Sequence, residues 1–531
     1  MLDITAFAAL IKRKRGEARL TQETLAQDVF GDSARKADIS RLENAKVANP
    51  QEATVQKICT ALNISAAEME PIRQSRLSAA QLDQIPTLSR EELENLATRF
   101  QIDDVFDRTD ADLRQLLTQK ATEYRALKAE VDAIPDTMKR LSNLKADAQD
   151  AIARLDLDEV ENLMTLVHAT ELEEAAKSAE IRANNALLRG RVDQAFTLLS
   201  SAADSFAAVD PLAPARIRIL GYCETLFKHG LRYGGDGIPK ASQIVSDILT
   251  AELKEMDTWL WAAGQNALAI TLGNQGTRSD GLEGADLLAK AVTAYRSALD
   301  VCTRQDHPVQ WATTQNNLGN ALREQGTRTD GLKGADLLAQ AVTSYRAALE
   351  VRTRQDHPEQ WATTQNNLGN ALQAQGIRTD GPKGADLLAE AVTAYRAALE
   401  VRTRQDHPVQ WAGAQNNLGN ALKQQGTRTA GPKGADLLAQ AVTAYRAALE
   451  VRTRQDHPVD WAETQYNIAI TQRDLSHNGS CTDPRAALEA ALMAVDDALT
   501  VFDPDHISYY HAKASRPRDN ILADIAALPP E

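Results

Sequence analysis

The sequence is poor in the residues that mark disulfide-stabilised, membrane-spanning or sheet-rich proteins. Its four cysteines among 531 residues show no paired spacing, so neither a disulfide framework nor a cysteine-rich metal site is expected. No apolar run reaches the roughly 18 residues that predict a transmembrane helix. Aromatic residues make up only 5% of the chain. Together with abundant alanine, this composition favours closely packed helices over a sheet core.

Targeting and catalytic signatures are also missing. The apolar stretch Ile4–Ile11 is short and is followed, rather than preceded, by the cations Lys12–Arg15. We therefore expect no secretory signal, no membrane partner and a cytoplasmic location. There is no phosphate-binding loop, no nucleophile elbow and no His/carboxylate cluster with metal-ligand spacing. The sequence thus predicts neither an enzyme nor a cofactor or metal site.

Negative charge is abundant but unevenly placed. The net charge is −14, with +1 on residues 1–73 and −15 on the remainder. An acidic body would be repelled from DNA and would leave the N-terminal segment to face it.

What the sequence does contain is a repeat of 50 residues. His307–Asp356 is followed by two close copies, His357–Asp406 and His407–Asp456, and degenerate copies flank them at Trp261 and Trp461. Such a period predicts a solenoid, in which each unit buries its apolar face on its neighbours. We therefore predict an all-α chain with a helical N-terminal domain (1–73), a helical linker or dimerisation segment (74–170) and an α-solenoid (171–531).

Each repeat reads as two helices. Pro358 is placed to start the first helix, which should run to about Gln375. Gly376–Lys383 is expected to be a loop, and Gly384–Arg404 the second helix. The apolar residues of that helix predict its buried stripe: Leu387, Leu388, Ala391, Val392, Tyr395, Ala398 and Leu399.

The repeats resemble the tetratricopeptide repeat, in the extended form found in kinesin light chains and many bacterial multidomain proteins. The family's Leu-Gly pair matches Leu318-Gly319 and its copies, and its alanine–aromatic–alanine series matches Ala341, Tyr345 and Ala348. The longer unit is attributed to longer helices and a longer inter-helix loop. Divergent units are predicted at Glu171–Val209, Pro214–Met256 and Trp461–Val501, with a capping helix over Tyr509–Leu528.

The resemblance implies a right-handed superhelix whose groove is lined by the first helices. The predicted groove residues, which would bind a peptide or protein, are Thr313, Asn316, Asn320, Arg323, Asn366, Asn370, Gln373, Asn416, Asn420 and Lys423. Their asparagines could donate to and accept from an extended peptide backbone. The alternative is that asparagines bond between adjacent helices, the role assigned to Asn317, Asn367 and Asn417.

Two other residue series recur with the period. Tryptophans at 311, 361, 411 and 461 are interpreted as packing between units rather than as a ligand stack. Histidines at 307, 357, 407 and 457 precede helix-starting prolines. Cap or turn roles are therefore favoured for them over metal binding.

The N-terminal segment predicts five short helices. Ala6–Arg15, Thr21–Val29 (with Thr21 as N-cap) and Ala34–Asn44 are followed by a fourth helix opened by Pro50 and a fifth capped by Ser65. Their predicted core residues are Phe7, Leu10, Ile11, Leu25, Ala26, Val29, Ile39, Leu42, Val55, Ile58 and Leu62.

These helices resemble the Cro/cI-type (XRE) helix-turn-helix family. The resemblance is carried by Leu20-Thr21-Gln22, Leu25-Ala26, Ile39-Ser40 and Leu42-Glu43-Asn44. It departs from the family in a longer stretch before the third helix and in Ala45, where glycine is usual.

The resemblance implies that the third helix enters the major groove of double-stranded DNA. Arg35, Lys36, Ser40 and Arg41 would then face base edges. Thr21 and Gln22 would sit at the DNA backbone, with phosphate contacts from Lys12, Arg13 and Arg15. The alternatives are that Lys12–Arg15 is an ordinary solvated helix end, and that the module is reused for protein contact.

The linker carries a heptad-like seam. Leu117, Tyr124, Val131 and Met138 fall seven apart, and Pro135 is expected to interrupt the seam. A short coiled coil joining two chains and a helical hairpin are equally compatible with it. A homodimer or larger homo-oligomer would suit the DNA hypothesis, because such modules read two half-sites.

Two functions follow as hypotheses. The first is a transcriptional regulator whose repeat domain binds a peptide or protein. The second is a scaffold that self-assembles or recruits partners, with the helix-turn-helix used for docking or autoregulation.

Overall fold

The computed structural model describes residues 4–18, 20–44, 52–65, 69, 85–100, 102, 105, 108–153, 157–207, 209–502 and 508–529. Every regular element within these ranges is helical, which confirms the all-α fold class. Residue contacts divide the chain into two compact units, one of residues 1–99 with 108–126 and the other of residues 100–107 with 127–531. The three-domain division stays a prediction.

The first unit begins with a compact set of short helices. These are α1 (Ile4–Glu17), α2 (Gln22–Phe30), α3 (Lys36–Glu43), α4 (Glu52–Ala61) and α5 (Arg90–Arg99). Thr21 caps α2 by accepting a hydrogen bond from the Thr24 backbone N–H at 3.1 Å. Gly31 ends α2 in the left-handed region, with φ at 72°. The predicted N-cap and turn are therefore confirmed.

The longer stretch between the second and third helices is taken up by a 3-10 turn, Ser33–Arg35. It delays the start of α3 to Lys36, two residues after the predicted Ala34. Ala45 and Pro50 lie outside the described residues, as does most of the predicted fifth helix. All of the predicted core residues are buried, together with Ile64 and Met69.

A single helix, α6 (Asp110–Ala153), contains the linker seam. The helix continues past Pro135 instead of ending there. Leu117 is fully buried and Tyr124 is 39% exposed, whereas the side chains of Val131 and Met138 lie outside the described set. The choice between a coiled coil and a hairpin stays open.

The second unit contains a series of helix pairs. Before the close repeats come α7 (Leu157–Leu188), α8 (Val192–Asp204), α9 (Ala213–Ile217), a π-helical turn (Arg218–Tyr222), α10 (Cys223–Tyr233), α11 (Gly237–Ser246) and α12 (Ala251–Met256). The repeat helices are α13 (Thr258–Arg278), α14 (Gly281–Leu299), α15 (Pro308–Thr327), α16 (Gly331–Leu349), α17 (Pro358–Ile377), α18 (Gly381–Leu399), α19 (Pro408–Thr427) and α20 (Gly431–Leu449). The series closes with α21 (Pro458–Ser476), α22 (Pro484–Leu499) and α23 (Ser508–Ala527).

The helices of each repeat are longer, and the loop between them shorter, than predicted. Helix α17 continues to Ile377 and α18 begins at Gly381 and ends at Leu399, so only 378–380 form the loop. The predicted loop Gly376–Lys383 is therefore wrong. The reason is that Gly381, with φ at 69°, permits a sharp turn directly into α18. The predicted buried stripe is confirmed, with Leu387 and Leu399 only partly buried.

An arginine of each repeat caps the first helix of the repeat before it. The Arg378 guanidinium donates to the backbone carbonyl oxygens of Gly326 (2.6 Å), Thr327 (2.5 Å) and Thr329 (2.8 Å) at the end of α15. The last carbonyls of a helix have no partner within that helix. Arg328 and Arg428 make the equivalent bonds one repeat earlier and one later. The arginines thus fix each unit on its predecessor.

Exposed ion pairs also join neighbouring repeats. Arg354 lies 2.5 Å from Glu400, and Arg304–Glu350 and Arg404–Glu450 are equivalent pairs. The Arg354 and Glu400 side chains are 57% and 52% exposed. Such pairs contribute little in water. Among the described residues, no helix is long and apolar enough to cross a membrane.

The two kinds of arginine should differ in stability when replaced. We expect Arg378→Ala to lower the free energy of unfolding by about 1–2 kcal/mol, because it leaves three carbonyl oxygens without a charged donor. Arg354→Ala is the matched control and should cost at most about 0.5 kcal/mol. Urea unfolding followed by circular dichroism measures both. Equal effects would show that the arginine cap does not hold the stack.

Candidate functional site

The candidate site is the face of α15, α17 and α19 that carries the ten predicted groove residues, called here the first-helix face. Asn316 is buried, at 6% exposure, and the other nine residues are half-buried. The expectation that Asn316 is an exposed groove position is therefore wrong. What each side chain can offer a ligand depends on the hydrogen bonds it already makes.

A buried tyrosine holds one asparagine in each close repeat. The Tyr345, Tyr395 and Tyr445 hydroxyls donate to the Oδ1 atoms of Asn320, Asn370 and Asn420 at 2.8, 2.7 and 2.7 Å. Burial raises the pKa of all three phenols above their usual range, so the hydroxyls stay protonated and remain donors. The Tyr395 hydroxyl also lies 2.9 Å from Gln373 Oε1.

These bonds orient the three amides. Because each Oδ1 atom accepts from a tyrosine, the Nδ2 atom is the part of the amide left for other partners. Within the described part of the chain, the Nδ2 atoms of Asn320, Asn370 and Asn420 make no hydrogen bond to protein. The first-helix face therefore carries three amide donors spaced one repeat apart, rather than groups that both donate and accept.

Glycine in the Leu-Gly pair makes room for the tyrosine. A Cβ atom added to Gly369 would lie 2.7 Å from Cε1 of Tyr395, and Gly319 and Gly419 meet Tyr345 and Tyr445 in the same way. The glycine is needed for this close approach and not for an unusual φ. The Leu-Gly pair is thus part of the device that positions the amide.

The other asparagine series links adjacent repeats. Asn316 Oδ1 accepts from Thr364 Oγ1 at 3.2 Å and from Asn367 Nδ2 at 3.3 Å. In the next repeats, Asn417 and Asn467 donate to the corresponding oxygens of Asn366 and Asn416, both at 3.4 Å. Asn316, Asn366 and Asn416 therefore share the structural role that was assigned to Asn317, Asn367 and Asn417.

A set of buried arginines escaped the sequence analysis. Arg352, 8% exposed, donates to Thr364 Oγ1 at 3.0 Å and to Thr313 Oγ1 at 2.9 Å. Arg402 makes the second of these bonds one repeat later, to Thr363 at 2.9 Å. Burial lowers the pKa of both guanidinium groups. An arginine repeated beside the apolar end of the second helix was the available signal.

The groove positions that differ between copies carry charge. Arg323 pairs with Glu324 at 3.5 Å. The equivalent of Arg323 two repeats later is Lys423, whose pKa is lowered by burial and raised in part by Asp474. Burial raises the pKa of Asp474. The floor of the face thus combines neutral donors with cations whose charges nearby acids offset.

The recurring histidines occupy the N-cap position of the first helices, without a side-chain cap bond. His307 also stacks on Trp259, with 3.9 Å between ring centroids. The described residues contain no group of His, Cys, Asp and Glu arranged to hold a metal ion. The tryptophans at 311, 361, 411 and 461 are half-buried, and Trp461 packs against the solenoid core.

In the first unit, a buried carboxylate engages two of the DNA-contact candidates. Glu43, 7% exposed, accepts from Arg15 Nε at 2.5 Å and from Gln22 Nε2 at 2.6 Å. Arg15 also donates to the Leu20 carbonyl at 2.9 Å. Arg15 and Gln22 therefore tie α1, α2 and α3 together. The sequence analysis had not assigned this role to Glu43.

The remaining candidates lie at the surface, and several have acidic neighbours. Arg35 lies over the Phe30 ring at 4.0 Å and pairs with Asp38 at 2.7 Å. Lys36 pairs with Glu23 at 2.8 Å, and Arg41 lies 3.9 Å from Asp38. Thr21 is used as the cap of α2, Ser40 is half-buried, and Lys12 and Arg13 are exposed.

Comparison with known proteins supports the repeat assignment. A family model described as tetratricopeptide repeat matches residues 311–359, and no curated protein matches the chain. A solved structure described as a circular tandem repeat protein with novel repeat topology and enhanced subunit contact surfaces is 12% identical, covering 85% of this chain and 98% of that one. Its TM-score of 0.27 does not establish a shared fold. Repeats of this type suggest a protein-interaction scaffold.

The tyrosine–asparagine bond can be tested within the repeats themselves. In the repeat of α13 and α14, Tyr295 keeps the tyrosine but Ile270 replaces the asparagine. We expect Tyr395→Phe to lower the free energy of unfolding by about 1 kcal/mol, because the Asn370 and Gln373 oxygens lose their donor. Tyr295→Phe is the control and should leave the urea midpoint almost unchanged. Equal losses in the two variants would contradict the assigned hydrogen bond.

Proposed function

We propose that the repeat region binds an extended segment of a peptide or protein partner along the first-helix face. The observation that supports this most directly is the row of amide donors at Asn320, Asn370 and Asn420, whose oxygens are held by tyrosines. An extended peptide presents carbonyl oxygens at regular intervals. Amide donors can bind these without reading the peptide's side chains.

Preorganisation adds to this argument. Each amide is fixed by a buried tyrosine, so binding would immobilise little additional side-chain freedom. Thr313 and Thr363 are occupied by arginines, and Asn316 and its copies link repeats. The amide donors, together with Arg323, Gln373 and Lys423, are then the part of the face that contacts the partner.

We further propose that the N-terminal helices bind double-stranded DNA through α3, and that the partner held by the repeats controls this binding. Arg35, Lys36 and Arg41 have side chains that are 50, 58 and 67% exposed. Ion pairs this exposed are weak and can be exchanged for phosphate or base-edge contacts. Two half-sites would be read by a homodimer or larger homo-oligomer.

A scaffold that assembles copies of itself or recruits partners is the second candidate. The near-identity of three consecutive units favours it, because repeated surfaces suit repetitive assembly. In that case the N-terminal helices would dock protein instead of DNA.

Removing the amide donors should abolish peptide binding. Asn370→Asp/Asn420→Asp keeps an oxygen for each tyrosine but removes the NH₂ groups, so peptides selected from a phage-displayed library of linear 12-residue sequences should bind at least about tenfold more weakly. Fluorescence polarisation measures the affinities.

The control for this variant adds the same charge on the second helices. Gln340→Glu/Gln440→Glu copies Glu390, which pairs with Arg346 at 2.5 Å in the middle repeat. This variant should retain wild-type affinity. Unchanged binding by the asparagine variant would reject the first-helix face as the peptide site.

DNA binding is tested by selection from a random double-stranded library. We expect an enriched sequence that is lost in Arg35→Ala/Arg41→Ala, with log affinity falling against log salt by roughly 0.9 for each phosphate contacted. Arg354→Ala/Arg404→Ala, which removes two exposed arginines of the repeat region, is the control. If the full chain enriches no sequence, or if the α3 variant retains it, the DNA proposal is wrong and the scaffold is favoured.

A further inference from the structure

The repeat of α13 and α14 departs from the three close copies at two positions on the first-helix face. Ile270 stands where the copies have Asn320, Asn370 and Asn420. Gly273 stands where they have Arg323, Gln373 and Lys423. The tyrosine of the second helix, Tyr295, is retained. The departures therefore remove two long polar side chains from one end of the amide row.

Their absence leaves a cavity of about 270 Å³ between α13, α14 and α15. Ile270, Leu288 and Ala321 supply apolar walls, and Gly273 leaves one side without a side chain. Asn320, the first amide of the row, also lines the cavity. A peptide backbone held by Asn320 would thus have this cavity within reach of one of its side chains.

The hydroxyl of Tyr295 is the distinctive polar group of this cavity. Tyr295 is 4% exposed and lines the cavity. Its three counterparts each donate to an asparagine, whereas across the described residues the Tyr295 hydroxyl makes no hydrogen bond. Buried tyrosine hydroxyls normally have a partner. Burial raises the pKa of Tyr295, so the hydroxyl stays protonated and can donate.

The other polar groups of the cavity disfavour a charged occupant. Arg323 and Glu324 line it together and pair with each other at 3.5 Å, so neither sign of charge is left in excess. A charged side chain entering among Ile270, Leu288 and Ala321 would lose its hydration without a dedicated counter-ion. A cavity of about 150 Å³ admits a benzene ring, so this one has room for a phenol.

We propose that this cavity binds one uncharged side chain of the partner peptide, with an apolar stem and a polar end that accepts from Tyr295, as in tyrosine or glutamine. The inference rests on the proposed binding of a peptide along the first-helix face. It adds a specificity pocket to a face that otherwise reads only the backbone.

Restoring the sequence of the close copies should close the pocket. In Ile270→Asn/Gly273→Gln, the new asparagine would accept from Tyr295 and the glutamine would fill the space. A Cβ atom at position 273 meets nothing nearer than Cβ of Ala291, at 3.8 Å, so the substitution fits without displacement. The variant should melt at or above the wild-type temperature, because glycine is replaced within a helix.

The experiment selects linear 12-residue phage-displayed peptides on the full chain and on the filled variant. We expect wild-type peptides to share tyrosine or glutamine at one position, and to bind the filled variant at least about tenfold more weakly. Their alanine-substituted versions should bind both proteins equally. Tyr295→Phe, which loses no bond within the protein, should weaken the selected peptides without lowering the melting temperature.

The outcomes separate this inference from the function on which it rests. If Asn370→Asp/Asn420→Asp abolishes binding but the filled variant binds as wild type, the pocket is wrong and the peptide face stands. A shared charged residue, or no shared residue, also overturns the pocket. If no peptide is enriched, or if neither variant affects binding, both proposals fail.

Discussion

The repeat region depends on one interaction between consecutive units, the arginine that caps the first helix of the unit before it. Arg328, Arg378 and Arg428 donate to carbonyl oxygens that a helix cannot satisfy by itself. Because the bond is made between units, it fixes their spacing and rotation as well as stabilising them. The regular spacing of the amides at Asn320, Asn370 and Asn420 follows from that fixed geometry.

The second constraint is the close approach of a tyrosine to a glycine inside each unit. Gly369 lets the Tyr395 ring reach the first helix, and the hydroxyl then holds the Asn370 oxygen. A packing contact thus prepares a binding group, and the same residues serve stability and recognition. Where Ile270 breaks the pattern, the tyrosine hydroxyl is left to face a cavity. The one irregular unit is for this reason the place where the face gains chemical selectivity.

The N-terminal helices obey a similar logic with fewer residues. Glu43 accepts from Arg15 and Gln22 and joins three helices through one buried carboxylate. A buried charge must be paired, so these side chains serve the fold, and contact with a partner falls to the exposed cations of α3. Lys36 and Arg41 owe their exposure to the 3-10 turn that sets where α3 begins.

The sequence by itself determined the all-α class, the repeat period and the buried stripe, because apolar spacing and helix-capping residues act locally. The Thr21 cap and the core around Phe7 and Ile39 are examples. Only the tertiary structure decided which asparagines link repeats, that Arg15 and Arg352 are tied within the protein, and that α17 and α18 meet at a three-residue loop. Each of these depends on partners distant in sequence: Asn316 is 48 residues from Thr364, and Arg378 is 52 from Gly326. A periodic pattern shows that such side chains recur, but their partners are set only when the units stack.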